Sequence, residues 1–117
     1  MNLPHGPFLL FAKECVQEQE EYVVVHCTFP TTPTLAMFLE AAAQSTVGFD
    51  MEEDAKMGFL TIGKDVKILN KILTKEYLIK VSKDVYIGQY HQFHFDAFDK
   101  ETEVKVVSGS LTLQIVV

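Results

Sequence analysis

The 117-residue chain is 48% hydrophobic and 22% charged, a composition typical of one globular domain spanning residues 1–117. Its net charge of −6 and its lack of arginine argue against a nucleic-acid partner, and it has no apolar run long enough to predict a membrane span or a signal peptide. We therefore expect a cytoplasmic protein without a membrane or nucleic-acid partner.

The cysteine and histidine residues do not predict a metal site. Cys15 and Cys27 lie in apolar, strand-like runs, and we expect both to be reduced thiols in the core. No cysteines and histidines have the spacing of a zinc site. His91 and His94 fall on opposite faces of a predicted strand and cannot be adjacent ligands. We expect neither a metal nor a cofactor.

Two β-strands open the predicted fold. The apolar run Phe8–Val16 predicts the first, and residues 17–20 form a charged turn. The β-branched and aromatic segment Tyr22–Phe29 predicts the second, which ends at residues 30–33 because their two prolines cannot donate to a ladder. Alternation in this strand predicts one face with Val23, Val25, Cys27 and Phe29, and another with Tyr22, Val24, His26 and Thr28.

Residues 34–48 predict a central helix. Leucine, methionine and three consecutive alanines favour a helix, Pro33 and Thr34 suit its start, and Gly48 suits its end. Apolar residues nearly encircle this helix, which is typical of a helix inside a fold. Glu40 is the exception, since a buried carboxylate is costly unless the protein uses it.

Four further strands are predicted at residues 59–69, 77–87, 89–98 and 104–117. The simplest packing is an α+β fold in which one antiparallel sheet wraps around the helix. Gly109 interrupts the last strand, and we expect the helix to approach it closely. Alternation in the strand before Gly88 predicts one face with Tyr77, Ile79, Val81, Val85 and Ile87.

The apolar helix also predicts an oligomer. A single sheet covers only one side of a helix, so we expect the other side to meet a second subunit in a homodimer or higher homo-oligomer.

Lysine is concentrated in the middle third of the chain. Residues 56–83 contain seven lysines and two acidic residues, whereas residues 1–55 contain nine acidic residues and one lysine. This strip is either a solvated strand face or a docking surface for an acidic acyl carrier protein or for coenzyme A phosphates. The docking residues that we expect are Lys64, Lys67, Lys71 and Lys75.

Four segments occur in an informative order: Leu-Pro-His-Gly-Pro-Phe-Leu-Leu at residues 3–10, Phe-Pro-Thr-Thr-Pro at 29–33, Leu-Glu-Ala-Ala-Ala-Gln at 39–44 and Ser-Gly-Ser-Leu-Thr-Leu at 108–113. They resemble the β-hydroxyacyl-acyl carrier protein dehydratases, whose patterns include L-P-H-R-x-P-F-L-L, H-F-P-G-x-P-x-x-P-G and E-A-x-A-Q. The resemblance covers essentially the whole chain. It implies the hot-dog fold, a curved antiparallel sheet wrapped around one long buried central helix. It also implies dimers with joined sheets and an interface tunnel for an acyl chain on phosphopantetheine.

The resemblance also implies site residues. In that family a histidine after the second strand and a glutamate on the partner's central helix together dehydrate the substrate. Glu40 matches the glutamate and Gln44 matches the glutamine of E-A-x-A-Q. Thr28 stands where the family has its histidine, and threonine cannot act as a general base near neutral pH. The following loop is two residues shorter than the pattern and lacks its Pro-Gly.

His26 is a candidate for the missing base. It precedes Thr28 by two residues on the same strand face, and its fourteen-residue separation from Glu40 equals the family's spacing. We expect Glu40 to lie close to His26 or Thr28 across the dimer interface. The alternatives are a tunnel-lining or hydrogen-bonded strand histidine, and a Glu40 that is bonded only to backbone donors or Gln44. The substrate-binding residues that we expect are Thr28, Phe29, Pro30, Gln44, Phe59 and Leu60.

These observations predict a protein that binds or processes acyl thioesters of acyl carrier protein or coenzyme A. One reading is a divergent 3-hydroxyacyl dehydratase of fatty-acid metabolism. The alternatives are a thioesterase that uses Glu40 and a non-catalytic acyl-binding or interaction module. Loss of the histidine and Pro-Gly favours the module over an ordinary dehydratase, whereas Glu40 and Gln44 favour an enzyme.

Overall fold

The structure, a computed structural model, describes residues 11–46 and 59–115, with residues 59–61 and 115 described by their backbone alone. The described residues form β1 (Ala12–Glu18), β2 (Tyr22–Thr28), α1 (Leu35–Ser45), β3 (Phe59–Ile68), β4 (Glu76–Ile87), β5 (Tyr90–Asp99) and β6 (Lys105–Ile115). The strands form one antiparallel sheet in the order β1-β2-β4-β5-β6-β3. The predicted α+β architecture of one sheet and one helix is confirmed. Residues 8–10, 47–48 and 116–117 of the predicted elements lie outside the described residues.

The sheet has a helix face, against which α1 packs, and an outer face. The alternation predicted in β2 is confirmed, because its even-numbered and odd-numbered residues differ sharply in burial. The same period of two appears in β4, β5 and β6. The buried residues of the helix face are Val23, Val25, Cys27, Tyr77, Ile79, Val81, Phe93, Phe95, Ala97, Val107, Leu111 and Leu113.

The alternation predicted for the end of β4 is wrong. Val85 and Ile87 are 44% and 68% exposed rather than buried. A shift in register between Lys83 and Val85 adds a residue, and Val85 then pairs with Gln92. Such a bulge reverses the faces of all the residues that follow it.

Helix α1 begins as the sequence predicts but is not buried on all sides within the protomer. Thr34 caps it by accepting a 3.2 Å hydrogen bond from the Met37 backbone N–H. Phe38 and residues 41–45 are buried, whereas Ala36 is exposed and Leu39 is half-buried. One sheet therefore covers one side of the helix and leaves an apolar strip near its start less protected.

Gly109 makes its close approach to β3, so the prediction that it contacts the helix is wrong. A β-carbon at Gly109 would lie 2.9 Å from Val66 Cγ2 and 3.0 Å from Val66 Cα. Val66 follows Asp65 in a bulge of β3 between Lys64 and Lys67, and Asp65 has a positive φ of 54°. The bulge brings the β3 backbone so close to residue 109 of β6 that only a glycine fits at that position.

The two cysteines occupy different environments. Cys27 is buried, as predicted, and desolvation raises the pKa of its thiol to about 12. Cys15 is exposed, contrary to the prediction, because β1 is an edge strand that the helix covers only at its start. The described residues contain no helix that could span a membrane, since α1 has 11 residues.

Candidate functional site

Glu40 lies in the second turn of α1, on the less protected part of the helix. Its side chain is half-buried, and its Oε1 accepts a 3.4 Å hydrogen bond from the Gln44 Nε2 amide. The two residues are four apart, a spacing that places side chains one above the other on a helix. The site thus begins with a carboxylate that a neighbouring amide orients.

Gln44 connects this carboxylate to the edge of the sheet. Its side chain is 0% exposed, and its Oε1 accepts hydrogen bonds from the backbone N–H groups of Phe11 (2.8 Å) and Ala12 (3.2 Å). These bonds satisfy the backbone where the chain enters β1. Gln44 was predicted to bind substrate, but the structure places it beneath the surface, where its carbonyl bonds to the protein itself.

A pocket of about 310 Å³ lies between α1 and β3, beside the start of the helix. Leu39, which precedes Glu40, forms part of its wall, and a β-carbon at Gly63 would lie 2.9 Å from Leu39 Cδ2. The missing side chain of Gly63 therefore lets the helix lie close to β3. The described residues that line it are Leu35, Ala36, Leu39, Gly63, Asp65 and Val66, of which Asp65 alone is charged.

Sequence reasoning missed the β3 part of this pocket. A glycine inside a strand often marks a close approach, and Gly63 carries that signal. Asp65 and Val66 carry no such signal, because the bulge that brings them to the pocket arises from pairing with β6.

His26 lies on the outer face of the sheet. Its Nε2 is 2.9 Å from Glu76 Oε1 in β4, and its side chain is 16% exposed. The next residue, Cys27, faces the helix, with its Sγ 3.9 Å from Ser45 Oγ. Within one protomer, His26 and Glu40 therefore lie on opposite sides of the sheet. The observed contact is that of a hydrogen-bonded strand histidine.

The segment after β2 contributes to the core more than to an open site. Phe29 is 1% exposed, and its ring centroid lies 4.9 Å from that of Phe11 and 5.3 Å from that of Phe38. The Thr28 backbone N–H donates a 2.9 Å hydrogen bond to the Phe11 carbonyl, and Pro30 is exposed. Phe29, predicted to contact substrate, is thus a core residue of the protomer.

No protein-family model and no curated protein matches this chain. Its structure is similar to a dehydratase heterocomplex, ApeI:P, from Xenorhabdus doucetiae, with 14% identity, a TM-score of 0.67, and coverage of 98% of this chain and 88% of that one. It is also similar to a hypothetical thioesterase from Streptococcus pneumoniae TIGR4, which was solved with coenzyme A. The identity is 12%, the TM-score is 0.64, and the match covers 88% of this chain and 84% of that one. A third similar structure is a Streptococcus mutans UA159 protein bound to acetyl-CoA. It has 9% identity and a TM-score of 0.65, and the match covers 88% of this chain and 87% of that one.

The protein has the hot-dog fold. We conclude this from the structural similarity, which extends over nearly the whole sheet and helix. Sequence identities of 9–14% are too low to establish it. The hot-dog fold predicted from the sequence motifs is confirmed.

Phe59 and Leu60 are the first two residues of β3, where they pair with Ile115 and Gln114 of β6. Their side chains lie outside the described part of the chain. Their predicted role in substrate binding stays a prediction.

The four lysines predicted to dock a carrier fall into two groups. Lys64 and Lys67 pair with Ser110 and Ser108 of β6 and flank the β3 bulge. Lys71 and Lys75 lie in the connection to β4. All four are exposed, as a docking surface requires.

A serine, a histidine and an aspartate also meet on the outer face. Asp96 Oδ1 lies 3.2 Å from His94 Nε2, and Ser108 Oγ lies 2.8 Å from the same carboxylate oxygen and 3.5 Å from the same ring nitrogen. A catalytic triad requires the hydroxyl and the carboxylate on different ring nitrogens. This cluster lacks that geometry and is a surface network, which Lys105 joins with its Nζ 3.4 Å from Asp96 Oδ1.

Proposed function

We propose that this hot-dog protein binds and processes an acyl thioester of coenzyme A or acyl carrier protein, with Glu40 as the reacting carboxylate. The observation that carries the proposal is a half-buried carboxylate on the central helix, oriented by a buried amide and next to a wall residue of an apolar pocket. Apolar pockets with few polar groups are typical of small-molecule sites. The similar structures, which include a dehydratase complex and a thioesterase with coenzyme A, support this class of substrate.

Thioester hydrolysis is the reaction that the geometry supports best, because it needs only one carboxylate. Glu40 takes a proton from water while the water oxygen attacks the thioester carbonyl carbon. The carbon–sulfur bond then breaks, and the leaving thiolate takes the proton from Glu40. The products are a carboxylic acid and the free thiol.

Dehydration of a 3-hydroxyacyl thioester is the second candidate, and the match of residues 40–44 to E-A-x-A-Q favours it. This reaction needs two proton-transfer groups, one at the α-carbon and one at the hydroxyl. His26 of the same protomer bonds to Glu76 on the other side of the sheet, so a His26 that works with Glu40 has to come from the second subunit of the dimer.

We also propose that the protein works as a homodimer. The start of α1 and the β3 edge lie together, and the pocket between them is open in the protomer. A second copy that pairs along β3 would extend the sheet and cover the apolar strip near the start of α1.

The test is an assay of crotonyl, 3-hydroxyacyl and saturated acyl thioesters of both carriers, which follows hydration, dehydration and thiol release. Glu40→Gln should lower turnover by roughly 10²- to 10⁴-fold, because the amide cannot accept the proton. Glu18→Gln, an exposed change on β1, is the matched control and should leave turnover unchanged.

The outcomes separate the candidates. Thiol release that survives His26→Ala supports hydrolysis by Glu40, whereas dehydration that both substitutions abolish supports the paired mechanism. Full turnover in Glu40→Gln contradicts a reacting Glu40. Binding without turnover of any thioester, with co-purified acyl ligand in native mass spectrometry, indicates a binding module instead.

A further inference from the structure

We propose that Asp65 determines the specificity of the α1–β3 pocket, so that the pocket favours an acyl group with a hydrogen-bond donor over one with a carboxylate. This role rests on the proposed function, because it takes the α1–β3 pocket as the site of the acyl group. It follows from the β3 bulge, which places Asp65 in the wall of the pocket.

The β3 bulge sets two residues against one. The strand pairs on either side of it leave Asp65 and Val66 together opposite Gly109 of β6. Asp65 has a positive φ of 54°, which few residues other than glycine adopt, although aspartate tolerates it better than most. Bulges are common next to active sites, where they re-aim a side chain. The strained backbone here accompanies the placement of two adjacent side chains in the wall of the pocket.

Asp65 supplies the charge of this pocket. Its side chain is exposed, and it forms no hydrogen bond or ion pair with the part of the chain that the structure describes. Its carboxylate oxygens are therefore available to a ligand. The other described residues of the lining have no polar side chain, and they are Leu35, Ala36, Leu39, Gly63 and Val66.

The two lysines next to the bulge lie on the opposite face of the sheet. Lys64 pairs with Ser110 and Lys67 with Ser108, and directly opposed residues point to the same side of a sheet. Ser108 belongs to the hydrogen-bond network on the outer face. Both lysines thus share the outer face with their serine partners, and neither of these described side chains forms an ion pair with Asp65.

A carboxylate in an otherwise apolar pocket discriminates between ligands in two ways. The Asp65 carboxylate accepts hydrogen bonds, so a hydroxyl or ammonium group on the acyl chain is a complementary partner. A carboxylate on the acyl chain would instead face a like charge, and the repulsion grows as the ligand displaces water from the pocket. The volume of about 310 Å³ is near the lower end of the range for small-molecule sites, which suits a short acyl group.

Stable substrate analogues test this specificity without turnover. They are amides of N-acetyl-ethylenediamine, in which nitrogen replaces the thioester sulfur, with pentanoyl, γ-aminobutyryl and succinyl as acyl groups. These groups have nearly the same length and are neutral, positive and negative. Shifts of the methyl NMR signals of Leu39 and Val66 in the pocket wall give the dissociation constants. The wild-type protein should bind the γ-aminobutyryl analogue at least about tenfold more tightly than the succinyl analogue.

Asp65→Asn is the decisive variant. Asparagine has nearly the same size and tolerates a positive φ, but it lacks the charge. The preference for the γ-aminobutyryl over the succinyl analogue should fall about tenfold. Glu103→Gln is the matched control, because Glu103 is also an exposed acidic residue with a positive φ, of 63°, but lies in the β5–β6 turn. It should leave the preference unchanged.

Ala36→Leu tests whether the acyl group occupies this pocket. Ala36 is exposed on α1 and lines the pocket, and leucine is a good helix former, so the variant fills the pocket without disturbing the fold. It should weaken the binding of all three analogues, including the neutral one. Pentanoyl binding that Ala36→Leu leaves unchanged, or the absence of shifts at Leu39 and Val66 with every analogue, would overturn the assignment of the acyl group to this pocket.

The role of Asp65 fails separately from the proposed reaction. Equal affinity of the wild-type protein for the two charged analogues, or a preference that Asp65→Asn leaves intact, would overturn the role of Asp65 even if thioesters are turned over. Absence of any thioester turnover refutes the reaction alone, since the binding of the amide analogues does not depend on catalysis.

Discussion

At the residue scale, buried polar side chains hold distant parts of the backbone together. Asp99 is an example at the end of β5, because its Oδ2 accepts a 2.7 Å hydrogen bond from the Thr74 hydroxyl. Its Oδ1 accepts from the backbone N–H groups of Glu101 (2.9 Å) and Thr102 (3.1 Å). The Thr74 hydrogen bond, followed by those from the turn, lowers the pKa of the Asp99 carboxyl below its usual value of 3.8. The ionised carboxylate thus links the β5–β6 turn to the β3–β4 connection.

Asp99→Asn should lower the free energy of unfolding by about 1–2 kcal/mol at pH 7, because hydrogen bonds to a charged group are stronger than those to an amide. A pKa lowered by folding gives stability that is complete above the unfolded-state value and is lost as the pH falls through the folded-state value. The difference from wild type should therefore shrink below about pH 4. Urea unfolding of both proteins over a series of pH values measures this difference in the free energy of unfolding.

Asp84→Asn is the control for Asp99→Asn. Asp84 is exposed and accepts one side-chain hydrogen bond, from Gln92 at 2.9 Å, so its substitution should change stability little. A destabilisation by Asp99→Asn that is as large at pH 2 as at pH 7 would contradict the charge argument.

At the element scale, the two edge strands of the sheet differ. Strand β1 has register shifts on both sides of Glu14 and Cys15, which disrupt a regular edge. The first half of β3 pairs with β6 without a shift, and its exposed residue Ile62 is apolar. Regular, apolar edges are the ones that pair with another chain. We therefore assign the proposed dimer contact to β3.

Ile62→Lys should weaken the dimer at least about tenfold, because a desolvated charge replaces an apolar contact. Val16→Lys is a matched control on β1, where the residue is 49% exposed, close to the 58% of Ile62, and it should leave association unchanged. Sedimentation velocity over a concentration series measures both. A wild-type protein that stays monomeric at micromolar concentration contradicts the dimer, and equal weakening by both variants contradicts the assignment to β3.

At the scale of the whole molecule, charge is unevenly distributed. The net charge is −6, yet β3 and its connection to β4 carry Lys64, Lys67, Lys71 and Lys75. All four are exposed, but only Lys64 and Lys67 lie on the β3 edge strand that borders the α1–β3 pocket. A local positive surface on an acidic protein can steer an acidic carrier toward that edge.

Lys67→Glu should slow association with acyl carrier protein by roughly 2- to 10-fold at low salt and flatten its salt dependence. Lys100→Glu, in the β5–β6 turn, changes the net charge equally and should have a smaller effect. Stopped-flow fluorescence with a labelled carrier measures the rates. Equal slowing by both variants would show that net charge, rather than the β3 lysines, governs association.

The local features of this protein, and its fold class, follow from the amino-acid sequence. The alternation in β2 places His26 and Cys27 on opposite faces, and Thr34 caps the helix as its position predicts. The ordered motifs also predicted the hot-dog fold, which the structural likeness confirms. Periodicity and capping depend on residues within one or two turns of each other, so they can be read from a single chain.

The contacts between residues far apart in the chain became visible in the structure. His26 bonds to Glu76, 50 positions away, and Gln44 bonds to Phe11, 33 positions away. The bulge in β4 exposes Val85, and the bulge in β3 brings Val66 against Gly109. Such contacts depend on strand order and register, which the whole sheet sets through pairing between distant segments. No local pattern encodes them, because a shift of one residue reverses every face that follows it.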